Sequence, residues 1–387
     1  MKRLASSIAL LSGLAAIMFF GLLPPLVEQS MNHVTGPQPA RASARAAALH
    51  KTLQIADMHA DTLMWRRDLL ARGERGQVDV PRLADGNVAL QILSSVTKTP
   101  KGQNYDANGA DTDNITLLAI AQGQPMRTWH SLIERSLWHA EKLRGFEARS
   151  HTKLRIVRSK ADLARLLADR ASGNQVTGAM LSVEGLHDIE GKRLNLDRLY
   201  DAGFRMAGLA HFFDNEVAGS MHGLKKGGLT AFGVEIVRAM EAKGMVVDLA
   251  HSSHATVAQV LKMARRPVVS SHGGVQATCK VNRNLTDEEI KGVAATGGVV
   301  GIGYWEAAVC DTSPAGIVRA IAHVRDLVGI DHVGLGSDYD GAISARFDTS
   351  RLDAITQALI DARFSDADIA KVMGGNVFRV LAHVLPD

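Results

Sequence analysis

The sequence is short of the features that define several protein classes. Of its 387 residues only two are cysteine and ten are proline, and aromatic residues make up 5%. These low counts exclude a small disulfide-stapled fold, a collagen-like chain and a proline-rich disordered chain. The remaining composition, 46% apolar and 22% charged, is that of a globular protein with enough apolar side chains for a large core.

Long basic runs are also missing. The first 50 residues carry a net charge of +3, whereas residues 51–387 hold 40 basic and 39 acidic residues. The body has only short basic pairs, such as Lys225-Lys226 and Arg265-Arg266. A duplex-binding protein gathers Lys and Arg on one face to displace counterions from phosphates, so we expect no nucleic-acid partner.

Charge is absent from one long stretch near the start. Lys2 and Arg3 precede residues 4–27, which are apolar and contain no charged residue. This pattern predicts that residues 1–27 are a signal peptide or membrane anchor, so that the rest of the chain is exported to the periplasmic or extracytoplasmic face. No Ala-x-Ala site directly follows the apolar stretch, which favours an uncleaved anchor over a cleaved signal.

The composition changes twice more along the chain. Residues 28–50 have few large apolar side chains and are rich in Pro, Gly, Ser, Ala and Arg, which is typical of a flexible tether. We therefore expect the folded domain to occupy residues 51–387.

The two cysteines are Cys279 and Cys310. An exported chain with an even cysteine count can form a disulfide, and no Cys-x-x-Cys spacing suggests a metal site. We predict a Cys279–Cys310 disulfide, and two buried, reduced thiols are the alternative.

Apolar runs of strand length alternate with segments of helical spacing. Eight such runs imply a parallel sheet, and eight strand–helix units fit a single (β/α)8 TIM barrel better than an open sheet. The Gly-x-Gly-x-x-Gly fingerprint of nucleotide-binding sheets is missing after the first run. Residues 97–176 form a mostly helical excursion between strands 2 and 3. The runs are Leu53–Met58, Val88–Leu93, Gly178–Val183, Arg205–Ala210, Met245–Ala250, Pro267–Ser271, Val299–Gly303 and His332–Gly336.

Residues that ligate metals follow these runs. In a TIM barrel the carboxyl ends of all strands face one mouth, where the chemistry occurs. Crowded imidazoles and carboxylates are costly unless a cation or substrate satisfies them, and this donor set suits zinc. A shared carboxylate can hold two ions, which predicts hydrolytic chemistry. The residues are His59, Asp61, Glu184, His211, His251, His272 and Asp338.

Ser271 directly precedes His272. Because neighbouring residues on a strand point to opposite faces, we do not expect these two side chains to form a Ser–His pair.

Together these motifs carry a family resemblance. From about residue 53 to residue 384 the chain resembles the membrane dipeptidase (renal dipeptidase) family of the amidohydrolase superfamily. The motifs are His59-x-Asp61, Val183-Glu184-Gly185, His211, Asp248-Leu249-Ala250-His251, Ser271-His272, Asn282-Arg283-Asn284, Gly334-Leu335-Gly336-Ser337-Asp338-Tyr339-Asp340-Gly341 and Gly374-Gly375-Asn376.

The resemblance implies a role for each site residue. Two Zn²⁺ ions per subunit would be bound, one by His59, Asp61 and Glu184 and the other by Glu184, His251 and His272. His211 would contact the substrate carbonyl or the oxyanion, Arg283 would bind the substrate carboxylate, and Asp338 would carry a proton to the leaving amine. For Asp338 an Asx-turn or a helix cap is the alternative, and the nearby Asp340 leaves that choice open.

The activity that the resemblance implies is zinc-dependent hydrolysis of free dipeptides, L,L and also L,D, through a hydroxide that bridges the metals. Family members often form homodimers, although no interface is readable in the sequence. One alternative is a related dinuclear hydrolase acting on N-acyl amino acids or lactones. A remote alternative is a non-catalytic exported binding protein.

Overall fold

Eight parallel strands close into a barrel at the centre of the fold. The computed structural model describes residues 2–387, so Met1 of the expected basic N-terminus lies outside the described residues. The strands in the described residues are β1 (His33–Val34), β2 (Ile55–Ala60), β3 (Val88–Ser95), β4 (Leu154–Ile156), β5 (Thr177–Val183), β6 (Phe204–Gly208), β7 (Val246–Asp248), β8 (Val269–Ser270), β9 (Val299–Ile302), β10 (Val333–Leu335) and β11 (Ser344–Ala345).

The order of strands around the barrel is β3-β2-β10-β9-β8-β7-β6-β5, and pairing of β3 with β5 closes the ring. Every pairing in the ring is parallel. The eight predicted strands and the (β/α)8 TIM barrel are therefore confirmed. The short strand β4, which the sequence analysis did not predict, lies within the excursion and pairs with the beginning of β5.

Helices surround the barrel. Three of them begin directly after Thr230, Ser253 and Thr286, and the side chain of each of these residues accepts a hydrogen bond from the first turn of its helix. The helices in the described residues are α1 (Lys2–Ala16), α2 (Leu23–Met31), α3 (Ala44–Thr52), α4 (Val80–Asp85), α5 (Ile115–Ala121), α6 (Leu132–Arg149), α7 (Lys160–Ala171), α8 (Arg193–Ala202), α9 (Ala231–Lys243), α10 (His254–Met263), α11 (Asp287–Ala295), α12 (Glu306–Val309), α13 (Pro314–Val328), α14 (Asp353–Asp361), α15 (Asp366–Ala370) and α16 (Asn376–Val384).

Strand side chains divide into two buried apolar layers. Val247 and Val300 belong to a cluster that also contains side chains of the outer helices α9 and α13. Their neighbours Val246 and Val299 belong to a second cluster. Adjacent residues therefore face opposite sides of the sheet, as strand geometry requires, and both faces of the barrel wall are apolar.

The N-terminal residues form one long helix. A π-helical segment, Ile17–Leu22, joins α1 to α2, and residues Ser6–Met31 are long and apolar enough to cross a membrane. Only 6% of its most apolar 18-residue window is buried against the rest of the chain. By length and composition this helix fits a signal sequence or an anchor.

Residues 28–50 differ from the flexible tether expected for them. They contain the end of α2, strand β1 paired in parallel with β11, and helix α3. Glu28, Ala46 and His50 are buried. The difference arises because Glu28 finds arginine partners on the barrel and because the alanine-rich segment after Ser43 forms a capped helix.

The predicted disulfide is present. Cys279 and Cys310 are bonded, with their Cα atoms 5.4 Å apart. The bond joins the loop after β8 to the residue that follows α12, and no cysteine of the described chain is left free.

Candidate metal centre

All seven predicted metal-site and catalytic side chains lie together at the carboxyl ends of the strands. His59 is the second-last residue of β2, and the others follow β2, β5, β6, β7, β8 and β10. Each of the seven residues is buried. Several of them line one cavity of about 550 Å³ at the mouth of the barrel.

Glu184 is at the centre of the cluster. Its Oε1 atom lies 2.9 Å from Nε2 of His251 and 3.1 Å from Nε2 of His272. These two Nε2 atoms are 3.0 Å apart, and Nε2 of His211 lies 3.6 Å from the same Oε1. Three imidazole nitrogens therefore point at one carboxylate oxygen.

The other oxygen of Glu184 faces a second group. Nε2 of His59 lies 3.7 Å from Oε2 of Glu184, 3.4 Å from Oδ1 of Asp61 and 3.8 Å from Oδ1 of Asp338. Among the described side chains, His59 Nε2 and Asp61 Oδ1 are buried atoms with no hydrogen-bond partner. Leaving buried polar atoms unpaired is costly, and a cation between them would satisfy both.

The donor set therefore fits metal ions. Imidazole nitrogens and carboxylate oxygens are ligands that zinc accepts, and Glu184 turns one oxygen towards each group. His59, Asp61 and Glu184 form one set of candidate ligands, and Glu184 with His211 and His251 forms another. His272 lies within 3.1 Å of the second set's carboxylate.

Buried carboxylates beneath the cluster hold the candidate ligands in place. Oδ1 of Asp248 accepts hydrogen bonds from the backbone N–H of Ser271 and of Ala250, and its Oδ2 accepts one from Ser271 Oγ at 2.5 Å. Since the Ser271 hydroxyl donates to Asp248, it can accept a hydrogen bond from Nδ1 of His272, which lies 2.8 Å away. That arrangement turns Nε2 of His272 towards Glu184.

The expectation that Ser271 and His272 do not pair was wrong. Ser271 follows the last residue of β8, so strand alternation no longer applies there, and both side chains lie on the same side of the chain. The contact orients the imidazole, because the hydroxyl proton is already committed to Asp248.

Two site residues have unusual backbone conformations. His251 has φ of 63° and Asp338 has φ of 62°, the left-handed region that L-residues other than Gly rarely adopt. The backbone carbonyl of His251 accepts a hydrogen bond from Met221, and the backbone N–H of Asp338 donates to His59. These bonds hold both residues in the conformation that turns their side chains into the mouth.

The two carboxyls at the mouth have opposite electrostatic environments. Burial raises the pKa of Glu184, but the facing imidazoles of His211 and His59 outweigh it and hold that pKa well below its usual range. Burial raises the pKa of Asp338 well above its usual range, and neighbouring Asp61 and Glu184 add to the rise. One carboxyl thus favours the anion and the other favours the acid.

Arg283 is the cation at this mouth. It is 2% exposed, its Nη2 donates to the backbone oxygen of His272 at 2.7 Å, and its Nε has no partner among the described residues. The guanidinium carbon lies 5.8 Å from the ring centroid of Trp305. A buried guanidinium with a free donor can bind a carboxylate that enters the cavity.

Sequence reasoning missed several residues of the site. Asp248 was recognised only as part of a motif, although its place three residues before His251 marks it as a strand-end carboxylate. Tyr105 in the excursion and Val27 and Met31 in the N-terminal helix also line the cavity. No local pattern could place these three at the mouth, because they come from segments outside the barrel strands.

Fold and site together define the class of this protein as a TIM barrel with a candidate metal centre at its mouth. The sequence profile of the membrane dipeptidase family, Peptidase family M19, matches residues 43–385. The chain belongs to the membrane dipeptidase family, which is a family of metallopeptidases.

Similar proteins from several organisms support the family assignment. The dipeptidase aclJ of Aspergillus oryzae is 37% identical over 216 residues, covering 53% of this chain and 51% of that protein. An uncharacterized dipeptidase of Schizosaccharomyces pombe is 30% identical over 319 residues, covering 79% of this chain and 72% of that protein. The matched region thus spans about half the length of aclJ.

Solved structures share the fold. The crystal structure of the probable dipeptidase PvdM from Pseudomonas aeruginosa has a TM-score of 0.73 at 20% identity and covers 88% of this chain and 97% of that chain. A metallopeptidase from Rhodobacter sphaeroides, liganded with a phosphinate mimic of the dipeptide L-Ala-D-Ala, has a TM-score of 0.68 at 20% identity. It covers 86% of this chain and 99% of that chain.

Proposed function

We propose that this protein is a zinc-dependent dipeptidase that hydrolyses free dipeptides. The observation that carries the proposal is the convergence of three histidine Nε2 atoms, from His59, His251 and His272, on the two oxygens of Glu184. Such a carboxylate can bridge two ions, and the family of the chain consists of metallopeptidases.

We assign the first Zn²⁺ to His59, Asp61 and Glu184 and the second to Glu184, His251 and His272. When bound, the ions would activate water near neutral pH and polarise the scissile carbonyl. The buried carboxylates Asp57 and Asp248 fix the backbone that carries these ligands, since Asp57 accepts from the N–H of His59 and Asp248 accepts from that of Ser271.

The remaining residues handle the substrate. Arg283 would pair with the C-terminal carboxylate, because it is buried at the cavity wall with a free N–H. His211 lines the same cavity and would donate a hydrogen bond to the carbonyl oxygen. Asp338 lines the cavity 3.8 Å from His59 and would deliver a proton to the nitrogen of the leaving amine.

Asp340 has a different role from Asp338. Its carboxylate is fully buried and accepts hydrogen bonds from Thr62 Oγ at 2.7 Å and the backbone N–H of Gln77 at 2.6 Å, and it pairs with Arg67. Because both oxygens of its fully buried carboxylate are engaged in these structural contacts, Asp340 supports the loops, which leaves Asp338 as the carboxyl available to substrate.

The expected substrates are L,L and L,D dipeptides. The L-Ala-D-Ala mimic held by the Rhodobacter sphaeroides structure supports extension to a D-residue at the C-terminal position. An exported location with residues 1–27 as an anchor agrees with the apolar helix Ser6–Met31. The homodimer that the resemblance implies stays a prediction, and the sedimentation velocity of the purified protein would test it.

The test is amino-acid release by the purified full chain in detergent. The panel contains L,L and L,D dipeptides and their N-acetylated counterparts, each with chelator, without chelator and after zinc is restored. We expect zinc-dependent release from the free dipeptides alone. Cleavage of only the acylated substrates would favour an N-acyl amino acid hydrolase, and metal binding without any release would contradict the proposed substrate class.

A further inference from the structure

The end of the N-terminal helix is built into the catalytic domain. Most of the helix is exposed, but Pro24 and Glu28 are buried, and Val27 packs against an apolar cluster at the mouth of the barrel. That cluster consists of Met64, Trp65, Val96 and Ile115. The predicted anchor therefore makes specific contact with the region that surrounds the site.

Val27 and Met31 line the same cavity as the candidate metal ligands. The cavity of about 550 Å³ is lined by Asp61 and Glu184 and also by these two side chains. Val27 is partly buried, and Met31 is 44% exposed and lies at the rim. A ligand that fills the cavity would touch both.

Ion pairs fix the helix end in this position. Oε1 of Glu28, which is 1% exposed, lies 2.8 Å from Nε of Arg67, and its Oε2 lies 3.5 Å from Nε of Arg75. Arg67 also pairs with Asp340, two residues after Asp338. A buried carboxylate with two arginine partners is costly to displace. The end of the N-terminal helix is therefore held in one position against the barrel.

Backbone contacts extend the same attachment. Oδ1 of Asn32 accepts a hydrogen bond from the N–H of Ala342 at 2.9 Å, and the N–H of His33 donates to the carbonyl oxygen of Ile343 at 3.1 Å. Ala342 and Ile343 themselves line the cavity. The segment that follows Met31 therefore shares hydrogen bonds with the wall of the site.

The apolar wall lies across the mouth from Arg283. Met64 and Trp65 follow β2, whereas Arg283 lies in the loop after β8, three strands away in a ring of eight. If Arg283 holds the C-terminal carboxylate, as the proposed function states, the N-terminal residue of the dipeptide would extend away from Arg283, towards the side of the cavity that Met64 and Trp65 line.

We infer that Val27 and Met31, at the end of the N-terminal helix, form part of the pocket for the N-terminal side chain of the dipeptide and favour large apolar residues there. This inference rests on the proposed dipeptidase activity. It also implies that any processing of the N-terminus occurs before Val27, since removal of the helix end would open this pocket.

The experiment compares Gly-Ala, Leu-Ala and Phe-Ala as substrates of the full chain in detergent. We expect the double variant Val27→Ala/Met31→Ala to lower kcat/KM for Phe-Ala by about 10-fold, chiefly through KM, because apolar contact with the side chain is lost. Gly-Ala has no side chain to contact the wall, so its kcat/KM should change less than about 2-fold.

Leu26→Ala is the matched control. Leu26 lies next to Val27 on the same helix but is 59% exposed and does not line the cavity. Met31→Trp gives a second readout, because a larger rim residue should impair Phe-Ala more than Gly-Ala. Melting temperature and bound metal, measured for each variant, identify any variant that is misfolded.

The outcomes separate the two proposals. Selectivity that shifts in Val27→Ala/Met31→Ala and Met31→Trp, but not in Leu26→Ala, supports the pocket assignment. Equal changes on all three substrates, or no difference from Leu26→Ala, would overturn the pocket assignment and leave the dipeptidase proposal intact. Failure of the unaltered chain to cleave any dipeptide would overturn both.

Discussion

The two halves of the barrel mouth are built in different ways. The polar half consists of side chains that directly follow barrel strands, with Glu184 between the candidate ligands. The apolar half combines the loop after β2 with residues of α5 and of the N-terminal helix, which are far apart in sequence. The polar half can therefore hold the groups that act on the peptide bond, whereas the apolar half can determine which substrate side chains bind.

This division predicts different consequences of substitution. Changes in the polar half should reduce turnover of every substrate, because they affect groups common to all dipeptides. Changes in the apolar half should alter the ranking of substrates, as described above for Val27 and Met31.

Glu184→Gln should abolish activity. The neutral amide removes the charge that both candidate ligand groups share, so we expect bound zinc to fall and kcat/KM to drop by at least about 10³-fold on every dipeptide. Metal analysis and initial rates measure the two effects. Glu216→Gln, an exposed change in the loop after β6, is the control. Retention of both ions and full turnover in Glu184→Gln would contradict the ligand assignment.

Asp338→Asn should lower kcat by about 10²–10⁴-fold while bound metal is retained, since an amide cannot transfer the proton. Asp340→Asn is the contrasting variant, because Asp340 is engaged with Arg67, Thr62 and Gln77. It should lower the melting temperature more than Asp338→Asn does. If Asp340→Asn instead caused the larger loss of kcat in a stably folded protein, the assignment of the two carboxyls would be reversed.

Arg283→Lys should raise KM for free dipeptides by about 10-fold or more, because an ammonium cannot form the paired hydrogen bonds of a guanidinium. The same variant should discriminate less between a dipeptide and its C-terminal amide. Steady-state kinetics on the two substrates measure this, and Lys280→Ala, an exposed change in the same loop, is the control. Unaltered discrimination would place the carboxylate elsewhere.

Asp188→Asn should stabilise the fold at alkaline pH. Burial raises the pKa of Asp188 to about 7, and its Oδ2 accepts a hydrogen bond from Ser136 Oγ at 2.6 Å. An unfolded Asp has a pKa of about 3.9, so the folded chain binds the extra proton between these values. Its contribution to stability therefore falls as pH rises through this window and stays low above it.

The amide of Asn carries no charge and can still accept the hydrogen bond from Ser136. We expect the melting temperature of Asp188→Asn to exceed that of the unaltered chain by about 2 °C or more at pH 8, and the difference to vanish near pH 4. Asp201→Asn, an exposed change, is the control. A difference independent of pH would show that ionisation of Asp188 is not its cause.

Burial also lowers the pKa of the nearby His139 to about 3, which has the opposite effect on stability. That contribution rises with pH between about 3 and the ordinary histidine pKa of about 6.5. His139 is present in both the unaltered protein and the Asp188→Asn variant. Its contribution to stability therefore cancels when the melting temperatures of the two proteins are compared.

Much of the barrel could be predicted from the chain. The eight apolar runs became the eight strands, and no predicted strand end differs from the observed one by more than two residues. Local patterns identified strands because both faces of a parallel barrel wall are apolar. The short strand β4 escaped prediction because its three residues gain strand geometry only by pairing with β5.

Residues 28–50 show that amino-acid composition alone does not predict whether a segment is part of the fold. Their small and polar side chains suggested a tether, yet Glu28 is buried between two arginines and β1 pairs with β11. Ser271 shows a similar limit, since its contact with His272 depends on where β8 ends. In each case the partner lies in a distant segment or at an element boundary.

The sequence by itself determined the barrel, the apolar N-terminal helix and the set of ligand-type residues at one mouth. It could do so because residues that follow parallel strands necessarily meet at the same end of the barrel. Only the tertiary structure decided which oxygen of Glu184 faces which histidine, and that Val27 and Met31 close the apolar side of the cavity. Those contacts join segments that are far apart in the sequence and that share no repeating pattern of residues. They form only when the chain folds and the segments pack together.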